Sequence, residues 1–267
     1  MLTAPPIEIC EAVIDCVWND CTDRRVRRRT LLACALTCKS WLIRSRRYLF
    51  REISLRSSAQ LHSFSELLGK VDFINDYVKE VEITDPQVLL SFASVLARKL
   101  TGVESLIITH RHAQLFAMVQ PLTFAPLPDF VAISSLQVQH VVFANFTDFE
   151  RLLCALPRLS RLSCIDVMWN TGSHNPLISS RKAPCLRSLE LELCPLQKII
   201  SWIIAVNATS ALERIILPFV TAEELEWVGQ LLAHTQATLQ HLTLVCHDSS
   251  PNSTSLMRAV GKVSYKS

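Results

Sequence analysis

The feature that most constrains the fold of this 267-residue chain is a short apolar pattern that recurs along most of its length. Apolar residues occupy the first, fourth and sixth positions of a six-residue unit. Seven units fit it: Val78-Val81-Ile83, Val103-Leu106-Ile108, Val138-Val141-Phe143, Leu159-Leu162-Cys164, Leu186-Leu189-Leu191, Leu212-Ile215-Leu217 and Leu239-Leu242-Leu244. Their first residues are 25, 35, 21, 27, 26 and 27 positions apart. A period in the twenties indicates a repeat protein in which each unit contributes one short strand.

The segments between these units have the spacing of amphipathic helices. Apolar residues recur at three- and four-residue steps in 88–100, 146–156, 196–207 and 222–234. Three prolines stand between a predicted strand and a predicted helix, where the chain must change direction: Pro86, Pro195 and Pro218. The chain from about residue 71 therefore predicts alternating strands and helices.

A strand–helix unit of this size cannot bury its own apolar face, so successive units must stack and share one core. We expect an α/β fold in which residues 57–267 form an irregular leucine-rich-repeat-like solenoid of short parallel strands and helices. The last unit ends near Leu244, and the tail that follows is thin for a capping unit. We therefore expect a solenoid that is incomplete at its C-terminus.

The first fifth of the chain has a different periodicity, which predicts three short helices. The first follows Pro5 and Pro6 and carries a one-sided apolar stripe made of Ile7, Cys10, Val13, Ile14 and Val17. The second is expected over 31–37 with Thr30 as its N-cap, and the third over 39–50. Helices this short are not stable alone, so they must pack together.

Basic residues are concentrated in this same region. Residues 1–56 contain 11 Lys and Arg against 6 Asp and Glu, whereas the rest of the chain is slightly acidic. The run from Arg24 to Arg29 could be a nuclear-localisation or nucleic-acid patch, or a solvated loop between two helices. Because no aromatic residue is interleaved with these arginines, we favour the loop and expect no nucleic-acid partner.

Composition limits where the protein acts. The chain is 49% hydrophobic, but no apolar run approaches the roughly 18 to 20 residues that cross a bilayer. Its start has neither the basic nor the apolar region of a secretory signal, and its ten cysteines form no CxxC pair. We therefore expect a protein with no membrane partner, located in the cytoplasm, the nucleus or both, with reduced cysteines.

An ordered set of residues near the N-terminus resembles the F-box, a helical module that docks a Skp-type adaptor of a cullin–RING ubiquitin ligase. Pro6-Ile7-Glu8-Ile9 is similar to the opening of that module, Cys38-Lys39-Ser40-Trp41 to its signature, and Phe50 to its closing aromatic residue. The run 31–41 is especially similar to F-box proteins of mushroom-forming fungi, where irregular leucine-rich repeats often follow. The resemblance covers 1–56, which we predict to be an F-box-like helical domain.

The resemblance implies a set of adaptor-binding residues: Pro6, Ile7, Ile14, Leu36, Lys39 and Trp41. Trp is also the residue type found most often at interface hot spots. The alternative is that Trp41, Leu36 and Ile14 only fill the core of the three helices.

The function implied is that of a substrate-receptor subunit of an SCF-type ubiquitin ligase. The first domain would bind the adaptor, and through it a cullin, while the repeats would bind an unidentified target protein. Four exposed strand positions are candidates for target binding: Glu82, Glu190, Glu192 and Thr243. Such a receptor acts by proximity, so no catalytic residue is expected.

Sequence motifs for catalysis or metal binding were not found. The five glycines form no phosphate-binding loop, and neither a GxSxG nor an HExxH motif occurs. His110 and His112 have no acidic or cysteine cluster nearby, and Cys34 and Cys38 lack a second ligand pair for zinc. We expect no cofactor and no metal.

Two other functions remain open from the sequence. One is a free-standing repeat scaffold whose N-terminal helices are only a cap, which predicts a fully buried Trp41. The other is an enzyme with a dispersed active site, which predicts a pocket with convergent polar groups.

Overall fold

The structure is a computed structural model that describes residues 6–71, 73–110, 117–119, 127–170, 183–247 and 263–266. Its helices are α1 (Ile7–Asp20), α2 (Arg24–Thr37), α3 (Lys39–Leu49), α4 (Ser58–Lys70), α5 (Phe73–Tyr77), α6 (Pro86–Leu96), α7 (Phe146–Cys154), α8 (Leu196–Ala205) and α9 (Leu225–Thr235). Its strands are β1 (Glu52–Leu55), β2 (Glu80–Ile83), β3 (Ser105–Thr109), β4 (Ala117–Val119), β5 (Ser135–Phe143), β6 (Arg161–Trp169), β7 (Ser188–Glu192), β8 (Arg214–Thr221), β9 (His241–His247) and β10 (Val263–Lys266). Short 3₁₀ turns occur at Leu127–Asp129 and Ala222–Glu224.

The strands of the described chain form one sheet in the order β1-β2-β3-β5-β6-β7-β8-β9-β10, with β4 beside β5. Neighbouring strands are parallel, except that β10 runs antiparallel to β9. Apart from β4, each new strand is added at the same edge, and helices follow β1, β2, β5, β7 and β8. The prediction of an α/β chain with N-terminal helices followed by parallel strands and helices is confirmed.

The register of the sheet corrects the alignment of the repeat. Leu106 pairs with Leu136 and Leu136 with Leu162, so the third unit begins at Ile133 and not at Val138. An additional unit, Phe50-Ile53-Leu55, precedes the first predicted one, because Ile53 pairs with Val81. The intervals between first residues become 28, 25, 30, 26, 27, 26 and 27, more regular than predicted. The sheet thus begins within the 1–56 segment.

A repeated backbone contact joins the beginnings of the strands. The carbonyl oxygen of Lys79, for example, accepts hydrogen bonds from the N–H groups of Glu104 and Ser105. Seven carbonyl groups make this double contact with the next strand: Arg51, Lys79, Glu104, Ser134, Ser160, Arg187 and Glu213. Because the contact recurs at nearly every unit, it fixes the register along the sheet.

The core lies on one face of the sheet. Strand residues alternate between buried and half-buried, and the buried ones belong to one apolar cluster together with helical residues such as Leu61, Phe92, Phe149 and Ile200. The helices after β1 therefore cover one face. We call the opposite face, which carries the half-buried and exposed strand side chains, the open face.

Three neighbouring units share a bend. His140, Asp166 and Leu193 have left-handed backbone conformations, with φ of 53°, 53° and 52°. His140 lies opposite Asp166 in the register, and Leu193 follows the residue that pairs with Ile165. Nδ1 of His140 lies 3.1 Å from Oδ2 of Asp166. These residues mark the point where β5 and β6 change direction.

Helices α1–α3, which we call the helical unit, have a small core of their own. Its buried residues are Ile14, Leu31 and Cys34, and Val17, Trp18, Trp41, Tyr48 and Leu49 pack against them. A three-residue connection joins α1 to α2, and one residue joins α2 to α3.

The prediction that Arg24 to Arg29 forms a loop is wrong. These residues are the first turns of α2, and the N-cap is Asp23 and not Thr30. The Asp23 carboxylate accepts hydrogen bonds from the N–H groups of Arg25 and Val26. Arginine is a good helix former, so a capped basic run can begin a helix without an apolar stripe.

Other differences from the sequence analysis are local. Pro86 begins α6 and Pro195 is the N-cap of α8, but Pro218 lies inside β8, next to an irregularity in its pairing with β9. Helices α4 and α5 had no counterpart in the sequence prediction. No helix in the described part of the chain combines the length and the apolar character needed to cross a membrane.

Candidate functional site

Most of the exposed large hydrophobic residues in the described part of the chain lie in the helical unit. Of twelve large hydrophobic residues that are exposed in the described chain, seven lie here: Ile7, Ile9, Val13, Val26, Leu32, Leu36 and Ile43. Leu36 is the extreme case, with 86% of its surface exposed. A concentration of exposed large apolar side chains on a small unit is typical of an interaction site.

The predicted adaptor-binding residues fall into two groups. Pro6, Ile7, Leu36 and Lys39 are exposed. Ile14 is completely buried in the core of the helical unit, where it packs with Leu31 and Cys34 and presents no surface to a partner. Trp41 is half-buried against the same core. The alternative that these residues only fill the core therefore holds for Ile14 and in part for Trp41. It does not hold for Leu36.

The four exposed residues lie at one end of the helical unit. Asp15 contacts Arg44, and Trp18 stacks on Tyr48 with 4.8 Å between ring centroids, so α1 and α3 run side by side in the same direction. The beginnings of α1 and α3 and the end of α2 are consequently close together. We call this end, which carries Pro6, Ile7, Leu36 and Lys39, the docking end.

Each residue of the docking end owes its exposure to its place in a helix. Pro6 is the N-cap of α1, and its carbonyl oxygen accepts hydrogen bonds from the N–H groups of Ile9 and Cys10. Ile7 is seven residues before Ile14, on the core side of α1 but beyond the packed cluster. Leu36 lies on the side of α2 opposite Leu31, and so faces away from the core.

A polar contact stabilises the pairing of α1 with α3. The guanidinium of Arg44 donates two hydrogen bonds to the Asp15 carboxylate, at 2.8 and 2.7 Å, and the Tyr48 hydroxyl donates a third at 2.9 Å. The hydrogen bond from Arg44 holds the pKa of Asp15 below its usual value. The orientation of the docking end is thus fixed by charge as well as by packing.

A second group of charges attaches the helical unit to the sheet. Arg27 Nη2 lies 2.9 Å from both carboxylate oxygens of Glu52, and Arg24 contacts Glu52 at 3.0 Å and Glu82 at 2.9 Å. Arg27 also stacks over the Trp18 ring at 4.4 Å. We call Arg24, Arg27, Glu52 and Glu82 the clamp.

The clamp lies beside another carboxylate on the open face. Burial raises the pKa of Glu80, and the charge of neighbouring Glu52 raises it further, while Arg24 acts in the opposite direction. Glu52, Glu80 and Glu82 lie close together on two adjacent strands. The positive charges of Arg24 and Arg27 reduce the repulsion among their carboxylates. Sequence analysis missed this contact because the partners are 25 and 58 residues apart.

The predicted target-binding residues lie on the open face. Glu82, Glu190 and Thr243 occupy one row, which the pairing continues as Ser54–Glu82–Ile107–Gln137–Ser163–Glu190–Ile216–Thr243. Glu192 is two residues further along β7. Glu82 belongs to the clamp, so its carboxylate is already paired, whereas Glu190 and Glu192 form no ion pair within the described chain.

The described chain contains few features that could support catalysis or bind a metal. No group of three or more His, Cys, Asp and Glu side chains there could hold a metal ion. A surface depression of about 170 Å³ is lined by Arg47, Arg51, Asp76, Tyr77 and Lys79. Ligand pockets usually measure roughly 300 to 1,000 Å³. Burial raises the pKa of the Cys34 thiol, as suits a packing residue, and His112 lies outside the described residues.

Comparison with known proteins adds no family to this description. No model of a known protein family matches the chain, and no curated protein matches it significantly.

Proposed function

We propose that this chain is the substrate-receptor subunit of an SCF-type cullin–RING ubiquitin ligase. In this proposal the helical unit acts as an F-box whose docking end binds a Skp-type adaptor. The sheet and its helices act as a leucine-rich-repeat-like solenoid that holds a target protein. The single observation that carries the proposal is the exposure of Leu36. This leucine lies near the end of α2 and is 86% exposed, and the neighbouring helices α1 and α3 bear the F-box-like residues.

The exposed apolar surface supports adaptor binding on energetic grounds. Burying a leucine side chain contributes roughly 1.5–3 kcal/mol, and Ile7 and Leu36 together offer two such contacts beside Lys39 and Pro6. The core of the helical unit is small, and an adaptor that covers the docking end would enlarge it. Ile14 contributes from beneath, by holding α1 against α2.

The clamp supports a receptor in which the two parts keep a fixed relation. A receptor accelerates transfer by holding its target near the reactive group, and the gain is lost when the connection is loose. The contacts of Arg24 and Arg27 with β1 and β2 connect the docking end to the repeats without a flexible linker. None of the ten cysteines forms a disulfide, which fits a receptor that works in the cytoplasm or nucleus.

The clamp also favours a second candidate, a repeat scaffold in which α1–α3 only cap the first strands. That function predicted a fully buried Trp41, and the side chain is half-buried. A scaffold of this kind also gives no reason for the exposure of Leu36.

Gel filtration with light scattering separates the two. The full chain is mixed at micromolar concentration with a purified Skp-type adaptor, in parallel with a Leu36→Asp/Lys39→Glu variant. A one-to-one complex that forms only with the native chain supports the receptor. Two separate monomers in both mixtures would refute it and leave the scaffold.

A further inference from the structure

Four side chains of the open face stand in one row at the beginnings of β6 to β9. The pairing of the strands places Arg161 beside Ser188, Ser188 beside Arg214, and Arg214 beside His241. Adjacent strands are about 4.8 Å apart, so the two arginines begin about 10 Å from each other with a serine between them. We call Arg161, Ser188, Arg214 and His241 the basic row.

The two arginines have no partner within the described chain. Both are exposed, and neither belongs to an ion pair there. This contrasts with the same row at the other end of the sheet, where Glu52 and Glu80 lie at the clamp. The row at the beginnings of the strands therefore changes from acidic at β1 and β2 to basic at β6 and β8.

Two free carboxylates lie next to the basic row. Glu190 and Glu192 follow Ser188 on β7, and each step of two residues along a strand is about 6.8 Å. The positive charges of the basic row and the negative charges of Glu190 and Glu192 are therefore close enough for one short extended peptide to contact both. Neither Arg161 nor Arg214 forms an ion pair with Glu190 in the described chain. The two arginines and the glutamate are therefore all available to a partner.

We infer that the basic row binds an anionic side chain of the target, carried on an extended segment with a basic side chain two residues away. Charge complementarity is the argument: the anion sits between Arg161 and Arg214 over Ser188, and the cation lies at Glu190 and Glu192. A carboxylate or a phosphoester can supply the anion, because both present oxygen acceptors to the two guanidinium groups. The inference rests on the proposed function in that the repeats bind a target.

The test uses the full chain labelled with ¹⁵N and three synthetic nine-residue peptides of Ser and Thr. All have lysine at the sixth position, and the fourth is glutamate, phosphoserine or glutamine. Amide shifts are followed during each titration. With the glutamate peptide we expect shifts at Arg161, Ser188, Arg214 and Glu190, and affinity about tenfold lower for the glutamine peptide.

Two variants with the same charge change separate the row from a general effect. Arg161→Glu/Arg214→Glu should lower the affinity for the glutamate peptide about tenfold or more. Arg98→Glu/Arg158→Glu, which alters two exposed arginines outside the row that form no ion pair in the described chain, should leave it within about twofold. A phosphoserine peptide that binds about tenfold tighter than the glutamate peptide assigns the phosphoester as the source, and similar affinities assign the carboxylate.

The inference is overturned if no peptide shifts these amides at millimolar concentration, if the glutamine peptide binds equally well, or if both double variants lose binding alike. Adaptor binding is measured on Arg161→Glu/Arg214→Glu at the same time. Retained adaptor binding with lost peptide binding supports both proposals. Failure of the peptide test with intact adaptor binding refutes the basic row alone.

Discussion

Arg27 and Glu52 join the helical unit to the first strand: one guanidinium nitrogen lies 2.9 Å from each oxygen of the carboxylate. Both side chains are more than four-fifths buried, with 17% and 19% of their surface exposed. Glu52 lies opposite Glu80 in the register. Removal of Arg27 would therefore leave Arg24 alone to balance the adjacent, partly buried carboxylates of Glu52 and Glu80.

Arg27→Met should lower the free energy of unfolding by about 2 kcal/mol, because it leaves Glu52 with only the more exposed Arg24 as a partner. Arg28→Met, one residue along and exposed, should change it by no more than about 0.5 kcal/mol. Urea unfolding measures both. In Arg27→Met/Glu52→Gln the losses should not add, with coupling of about 1 kcal/mol or more. Equal effects of the two methionine variants would show that the clamp is not structural.

Glu150 should make stability depend on pH. Burial raises the pKa of this α7 residue to about 7, although Arg151 acts in the opposite direction. The folded state then binds a proton that the unfolded state, with a carboxyl pKa of 4.5, releases earlier. Stability is therefore highest below that lower value and falls as pH rises through the window from there to about 7.

Glu150→Gln removes this dependence. We expect the variant to be more stable than the native chain at pH 8 by about 1 kcal/mol or more, and to lose that advantage near pH 4. Thermal unfolding between these pH values measures the difference. The exposed Glu223→Gln is the matched control and should follow the native curve. A constant offset for Glu150→Gln at every pH would contradict the assignment.

Ser45 is a polar residue in an apolar place. Its side chain is completely buried in α3, and Oγ has no hydrogen-bond partner in the described chain. Ser45→Ala should stabilise the protein by about 1 kcal/mol, because it removes a desolvated hydroxyl and favours the helix. Ser40→Ala, at an exposed position of α3, reports the helix effect alone. Denaturant unfolding should rank Ser45→Ala above Ser40→Ala, and the reverse order would mean that the hydroxyl is satisfied.

Leu193 has a backbone that favours glycine. Its φ of 52° costs a non-glycine residue about 1 kcal/mol, and about half of its surface is exposed. Leu193→Gly should therefore be at least as stable as the native chain. Glu192→Gly, one residue earlier in the ordinary strand conformation of β7, should be less stable by about 1 kcal/mol. Thermal unfolding that found both variants equally destabilised would show that φ at Leu193 is not a source of strain.

The sequence predicted the parallel strands because their apolar pattern is local. Six of the seven units were aligned correctly, and the third was not, since β5 is nine residues long and continues past the bend at His140. Its apolar residues Val138, Val141 and Phe143 repeat the unit five positions late. The left-handed residue that separates the two halves has no signal in a binary pattern.

Charges joined over long distances could not be predicted in the same way. The run at Arg24 to Arg29 resembled a solvated loop because its partners, Glu52 and Glu82, are on β1 and β2. Alternation did predict that Glu82, Glu190 and Thr243 face one side of the sheet. Periodicity alone could not separate Ile14, which is buried, from Ile7 on the same side of α1, because the end of the packed cluster is a property of three helices together.

The central claim is that the docking end binds a Skp-type adaptor, and calorimetric titration of Leu36→Asp tests it most directly. Because Leu36 lies outside the core, the variant should unfold at nearly the native temperature and yet bind the adaptor at least about tenfold more weakly. Val131→Asp, at an exposed apolar position away from the helical unit, should bind as the native chain does. Unchanged affinity of Leu36→Asp, or no binding by the native chain at micromolar concentration, would contradict the account.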